Sequence, residues 1–196
     1  VLVNELETNH ISYLDIGFDV RSLDIELLPM LDIFGTIITE IGTSKLDYRQ
    51  FAKEIATCTG NFSHSLNTFS KKPANDNIRP IFWLHLKCLP NYLEKALKLV
   101  AEVFTDLSLL DRGRIREIVG REFAWAEHSA QSEGYSLASS RVFAHLSQAG
   151  RYNELFSGVT PYMALKNLAL NYGENEETFL LTLQRIAKTL FNRNNL

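Results

Sequence analysis

The residues able to hold a metal or move a proton are few, and they are scattered. The five histidines are His10, His64, His85, His128 and His145. No two of them stand three or four residues apart, the spacing that puts two imidazoles on one helical face within reach of a shared ion. Cys58 and Cys88 are distant from one another and belong to no CxxC pair. That suits reduced thiols at plain core positions, in a cytosol-like compartment, better than a disulfide framework. Glu127, His128 and Ser129 have the composition of a nucleophilic triad. Neighbours on a helix point about 100° apart, however, so the three do not face one another, and a triad is defined by geometry. The stretch 121–141 therefore reads as a solvated helix face. Glu117 with Arg121, and Glu94 with Lys98, have the i, i+4 spacing that contributes about 0.2–0.5 kcal/mol to a helix and nothing to catalysis. The glycines form neither GxGxxG nor GxxxxGK, so no phosphate cradle is written.

Length and composition set the frame for these residues. A chain of 196 residues, 45% hydrophobic and 22% charged, suits one globular domain, or one domain with a helical appendage, able to bury a sizeable core. The formal net charge is −3 and no basic run is longer than Lys71-Lys72, which argues against a nucleic-acid surface. No apolar run approaches the roughly 20 residues that a membrane-spanning helix needs. The opening VLVNELETNH carries two acids and no basic leader region, so it does not read as a signal peptide. It lacks an initiator methionine, and NRNNL directly follows an amphipathic helix. Both ends read as cuts within a longer polypeptide.

Hydrophobic spacing supplies the elements that would position a site. ISYLDIGFDV predicts a strand over 11–20. Leu27, Leu28, Leu31, Phe34, Ile37, Ile38 and Ile41 recur at threes and fours. They predict a helix over 24–41 that faces a sheet, with Pro29 in its opening turns and Gly42 at its end. Ser44 opens a second helix, 45–58, buried through Leu46, Phe51 and Ile55. NFSHSLNTFS alternates Phe62, His64, Leu66 and Thr68 against small polar residues, predicting a half-wet strand over 61–70 at a sheet edge. KKPANDN, 71–77, is a turn by composition, and RPIFWLHLKCL predicts a strand over 79–89. Helices follow over 91–108, over 113–133 with Asp111 as cap, and over 135–148. Two more follow over 160–170, with Thr160 as cap and Pro161 in first position, and over 175–191. His85 reads as a buried imidazole in a core strand and His64 as a surface residue. The order β-α-α-β-β-α-α is not the alternation of a parallel sheet. It suits an α+β fold, an antiparallel sheet with helices packed on one face and further helices in the C-terminal half. With no internal repeat or linker, 1–196 reads as a single domain.

Taken in order, ISYLDIGFDV, LLPMLDIFGTIITEIGTSKLDY, the Gly60-Asn61 strand start, RVFAHLSQAG and the closing SGVTPYMALKNLA to NRNNL resemble the pitrilysin/insulinase family of zinc metallopeptidases. The likeness is greatest to its presequence-protease branch. It spans most of the chain and rests on order and spacing rather than on one diagnostic motif. In that branch four similar α+β units form two half-shells around a chamber, and this chain resembles the third unit, which is not the catalytic one. The resemblance implies that the helix matching residues 33–43 carries, in the first unit, an inverted zinc motif, H-x-x-E-H. Two histidines one turn apart bind zinc there, and the glutamate handles the proton of the metal-bound water. Laid on this chain by its Gly-Thr end, the motif falls on Ile33, Thr36 and Ile37, and residues 24–44 contain no histidine in any register. Catalytic and metal-binding residues are therefore expected to be absent here. Ile33 and Ile37 are expected to add burial of roughly 1.5–3 kcal/mol each.

The same resemblance makes 61–70 the counterpart of a strand that pairs with substrate backbone, so Phe62, His64, Leu66 and Thr68 are candidate peptide-contacting residues. The implied role is a non-catalytic structural unit of a zinc-dependent oligopeptidase, enclosing unfolded peptide while an N-terminal catalytic half holds the zinc. The compartment would be bacterial cytoplasm, mitochondrial matrix or plastid. The alternative is a catalytically inert scaffold domain of the same fold, as in core subunits of respiratory complexes. An enzyme built from scattered residues is the least supported reading. If the strand that follows the last helix in the family is missing, an open sheet edge favours self-association.

Overall fold

A computed structural model of the chain describes residues 2–4, 6–70, 78–192 and 195. Its sheet has three antiparallel strands, β1 (Ser12–Asp19), β2 (Asn61–Ser70) and β3 (Ile78–Cys88), in the order β1-β3-β2. The expected turn over 71–77 lies outside the described residues. β3 holds the sheet together: its register runs Ser12↔Cys88 to Asp19↔Ile81 on one side and Asn61↔Lys87 to Ser70↔Ile78 on the other. Its side chains alternate strictly. Phe82, Leu84, Leu86 and Cys88 are buried against helices, while Ile81, Trp83, His85 and Lys87 stand half-exposed on the opposite face. The sheet is thus half-wet, and the helices lie on one side of it, an α+β arrangement.

The helix expected over 24–41 divides in two. Ile25–Met30 is a 3₁₀ segment containing Pro29, and α1 (Leu31–Glu40) begins only after it. Proline has no N–H to donate and its ring crowds the carbonyl four residues back, which disfavours an α-helix running through 25–30. α1 then buries its apolar residues in the core, with Leu31, Phe34, Ile37 and Ile38 all at 0% exposure. Gly42 terminates it at φ 96°, a left-handed conformation that costs glycine nothing. α2 (Tyr48–Cys58) starts three residues later than Ser44 would set it. Asp47 caps it, its carboxylate accepting from the Arg49 and Gln50 amides while the Gln50 side-chain oxygen accepts from the Asp47 amide, a capping box. Ser44 instead donates to Asp106 at 2.5 Å.

α3 (Leu93–Thr105) buries Ala96, Leu99 and Val100 with Leu86, Cys58 and Cys88 in a small cluster at one end of the sheet. Burial pushes both thiols above the ordinary cysteine range. α4 (Arg112–Ser132) is capped by Asp111, which accepts from the Arg114 amide at 2.9 Å. It lays Ile115, Ile118 and Val119 onto the main core. α5 (Gly134–Leu146) has no buried residue.

A helix that the sequence reading leaves out, α6 (Gln148–Ser157), follows, capped by Ser147 accepting from the Gly150 amide. α7 (Val159–Leu170) begins at Gly158 rather than at a Thr160 cap. The Thr160 amide and hydroxyl both donate to Glu154, which is 3% exposed and also accepts from Arg141 at 2.8 Å. Here a carboxylate from the preceding helix does the capping that the threonine's own hydroxyl would have done. α8 (Tyr172–Leu190) closes the core with Phe179, Leu183, Ile186 and Leu190.

Candidate functional site: the first long helix and the sheet edge beneath it

α1 lies over β2, and the side chains on its two faces decide what it can do. Ile33 is 4% and Ile37 0% exposed; both belong to the main apolar core with Ile115, Ile118 and Val119 of α4. Thr36, half-buried between them in sequence, donates its hydroxyl to the Asp32 carbonyl at 3.3 Å. At these three positions the helix presents two hydrocarbons and a self-satisfied hydroxyl, none of which is a metal ligand.

One turn on, Glu40 receives two arginines from α4. Arg114 Nη2 donates at 2.9 Å, and Arg121 donates through Nη1 at 2.9 Å and Nη2 at 2.7 Å. Arg121 also donates to Glu122 at 2.7 Å, and Arg114 to Glu117 at 3.2 Å. The bidentate bond from Glu40, supported by Glu122, holds the Arg121 pKa above its ordinary value. Arg114 lies over the Tyr48 ring at 4.9 Å. Two guanidinium groups thus occupy the α1–α4 seam and engage both oxygens of the Glu40 carboxylate. Among the described residues no group of three or more His, Cys, Asp or Glu side chains is placed to hold a metal ion.

The strand beneath α1 holds the principal correction. The sequence reading sets His64 at the surface and His85 in the core; the structure reverses them. The His64 side chain is only 14% exposed, its ring stacked on Phe82 at 5.9 Å and 16° and its Nε2 3.0 Å from Asp32 Oδ1. Because a carboxylate only accepts, Nε2 carries the hydrogen. Gly35 makes this possible: a Cβ there would collide with the His64 ring, meeting Nε2 at 2.7 Å. His85 sits on the other face, 34% exposed, with Nδ1 2.7 Å from Asp15. The signal was in the parity of β3. Phe82, Leu84 and Leu86 are even-numbered and apolar, so odd-numbered His85 must point away from them.

Phe62 and Leu66 pack against the core from the same inner face as His64, and Thr68 Oγ1 is buried without a partner among the described residues. All four side chains of this set therefore aim at the helix layer. What β2 offers outward is its main chain, since β3 is its sole strand neighbour among the described residues. Two clefts flank the arrangement. One, of about 370 Å³, opens over Asp32 and Ile33 between Trp125, Leu137, Phe156 and Pro161. The other, of about 390 Å³, runs along the start of β2 between Asn61, Phe62, Ile55, Tyr48 and Arg114. No helix among the described residues is long and apolar enough to cross a membrane.

Comparison with known proteins gives a consistent set of likenesses. Residues 1–168 match the family described as peptidase M16 (subfamily C) associated. Protein HypA of Clostridium perfringens is 27% identical over 195 residues, covering 100% of this chain and 20% of that protein. Presequence protease 1, chloroplastic/mitochondrial, of Arabidopsis thaliana is 27% identical over 194 residues, covering 99% of this chain and 18% of that one. The chain therefore spans about a fifth of the length of these relatives. Among solved structures, a conserved protein from Enterococcus faecalis V583 superposes with a TM-score of 0.58 at 14% identity, over 84% of this chain and 40% of that one. That likeness concerns the fold alone.

Proposed function

Since the chain belongs to the peptidase M16 (subfamily C) associated family, we propose that it is a non-catalytic unit of a zinc-dependent oligopeptidase. In this role it helps to enclose unfolded peptide while another part of the same polypeptide supplies the metal. One observation carries the reading: Ile33 and Ile37, on which the resemblance would lay a zinc motif, are sealed in the core at 4% and 0% exposure, beside a seam closed by Arg114 and Arg121 on Glu40. The presequence-protease names of relatives that match nearly the whole chain support a peptide as the parent's substrate. They also support an organelle as its compartment.

Within the proposal, peptide contact falls to β2, and it runs through main chain. Phe62, His64, Leu66 and Thr68 are turned inward, so an extended peptide would add to the free edge as a further strand, with backbone bonds giving affinity. The test is metal analysis of the purified chain together with incubation with an unstructured peptide, followed by hydrogen exchange. The expected result is no stoichiometric zinc, no cleavage, and slowed exchange at alternate β2 amides when peptide is added. One tightly held zinc per chain would remove the non-catalytic reading; unchanged exchange along β2 would remove the edge contact and leave the rest standing.

A further inference from the structure

The open face of the sheet carries a second group of reactive side chains, away from α1. Asp15 on β1, His85 on β3 and Ser65 on β2 form one line across the three strands. His85 Nδ1 is 2.7 Å from Asp15 Oδ1, and its Nε2 is 2.8 Å from Ser65 Oγ. With Nδ1–H donating to the carboxylate, neutral imidazole presents the Nε2 lone pair to the serine hydroxyl. Hydroxyl, imidazole and acid thus stand in the order and at the spacing of a nucleophile, its base and the group that orients the base. Ser65 Oγ also lies 3.0 Å from Asn67 Oδ1, so its single proton is offered to one acceptor or the other.

The floor beside the serine is aromatic. Trp83 is directly opposite Ser65 in the ladder. It stacks on His85 with 6.5 Å between centroids at 21°, and meets the edge of Phe69 at 6.3 Å. The indole lies flat over Gly17, where a Cβ would stand 2.7 Å from Trp83 Cζ3. The relay is accessible, with the Asp15 and His85 side chains 61% and 34% exposed.

We propose that Ser65 is a nucleophile toward small activated esters bearing a flat apolar group. His85 acts as its general base, Asp15 positions the imidazole, and Trp83 supplies the surface on which the group lies. Ser65 Oγ bonds to the acyl carbon and its hydrogen passes to His85 Nε2. The bond from the acyl carbon to the leaving oxygen breaks, and that oxygen takes the proton from His85. Water then attacks the acyl-serine by the same route, releasing the carboxylic acid and restoring the hydroxyl. Because Asn67 Oδ1 competes for the Ser65 hydrogen, the hydroxyl must turn to His85 Nε2 before it attacks. The activity is separate from peptide enclosure and does not depend on it.

The experiment treats the folded chain with p-nitrophenyl acetate and, separately, with a fluorophosphonate probe, and locates the adduct by peptide mass spectrometry. The expected adduct is on Ser65 and is absent from urea-unfolded chain. Ser65→Ala abolishes it, and His85→Ala slows acylation about 10²-fold, the lower end of what general-base assistance contributes. Asp15→Asn slows it without moving the thermal unfolding midpoint, and Asp15→Glu restores part of the rate. Ser63→Ala, on the neighbouring serine of the same face, leaves the rate unchanged. No adduct on Ser65, equal labelling of folded and unfolded chain, or an unaltered rate in His85→Ala overturns the proposal. Because the adduct is mapped in the unsubstituted chain, a variant that fails to fold does not protect it.

Discussion

Gly35→Ala is a sharp test of how α1 meets the sheet. In an exposed helix interior the change would stabilise by about 1 kcal/mol, because alanine loses less backbone freedom on folding. Here the new methyl group would overlap the His64 ring, with Nε2 at 2.7 Å and two ring carbons closer still. The ring cannot slide away at no cost. It is stacked on Phe82 and bonded to Asp32, and forcing a group into a packed site costs about 1–3 kcal/mol. Displacing the ring also forfeits a hydrogen bond worth about 1 kcal/mol. The sum predicts net destabilisation of about 1–3 kcal/mol after the helix gain is subtracted. In a His64→Ala background the clash is gone, so Gly35→Ala should there stabilise by about 1 kcal/mol. The assay is urea unfolding of the two single variants and the double variant, completing a double-mutant cycle, with an expected coupling of about 2–4 kcal/mol. Additive effects, or stabilisation by Gly35→Ala alone, would show that α1 does not rest on His64.

Three further outcomes follow from the same packing. Replacing Ile33, Thr36 and Ile37 by His, Glu and His should not create a zinc site. It would bury polar groups at positions 4% and 0% exposed, each costing about 1–3 kcal/mol or more, so loss of cooperative unfolding without zinc retention is expected, and stoichiometric zinc would contradict it. Tyr172 is 5% exposed, its hydroxyl has no partner among the described residues, and burial pushes its pKa up to about 12. A raised phenol contributes its share of stability below the ordinary tyrosine range and loses it as pH rises from there toward about 12. Unfolding free energy should therefore fall over that window more steeply than in Tyr172→Phe. At neutral pH that variant should be about 1 kcal/mol more stable for having no orphaned hydroxyl, and identical alkaline profiles would sink the assignment. Finally, sedimentation velocity over a concentration series should show reversible association through β1 and β2, whose outer edges have no strand neighbour among the described residues; one sedimentation coefficient throughout would rule it out.

Much of the sheet was legible in the sequence because period-2 alternation is local. Phe82, Leu84 and Leu86 against Trp83 and His85 write the two faces of β3 outright, and reading His85 as buried set that parity aside. α6 escaped because QAGRYNELFS is polar with an early glycine, and its apolar anchor, Phe156 at 4% exposure, is a single residue rather than a stripe. The late start of α1 goes with Pro29, which lies inside the 3₁₀ segment before it. The apolar character of the α1 motif positions was equally plain, since absence of histidine needs no structure to see. The clamp on Glu40 was not: Arg114 and Arg121 reach it from α4, and only packing brings them there. The line of Asp15, Ser65 and His85 was hidden for the same reason. Three strands contribute one residue each, and without the register they are three unrelated letters, while the contiguous Glu127-His128-Ser129 drew attention and lies on a helix.

In the sheet, β1 and β2 touch β3 but not each other, and β3 is the last of the three to leave the ribosome. Among the described residues neither earlier strand has a strand partner until β3 emerges; β2 then pairs with it across a short connection, Ser70 opposite Ile78, while β1 must close a long loop, Ser12 with Cys88 at the extreme. β1 therefore waits longest for its partner, and the sheet forms around β3. Slow assembly gated by residues 78–88, rather than zippering from the N-terminus, is the kinetic signature this topology imposes on nascent chains.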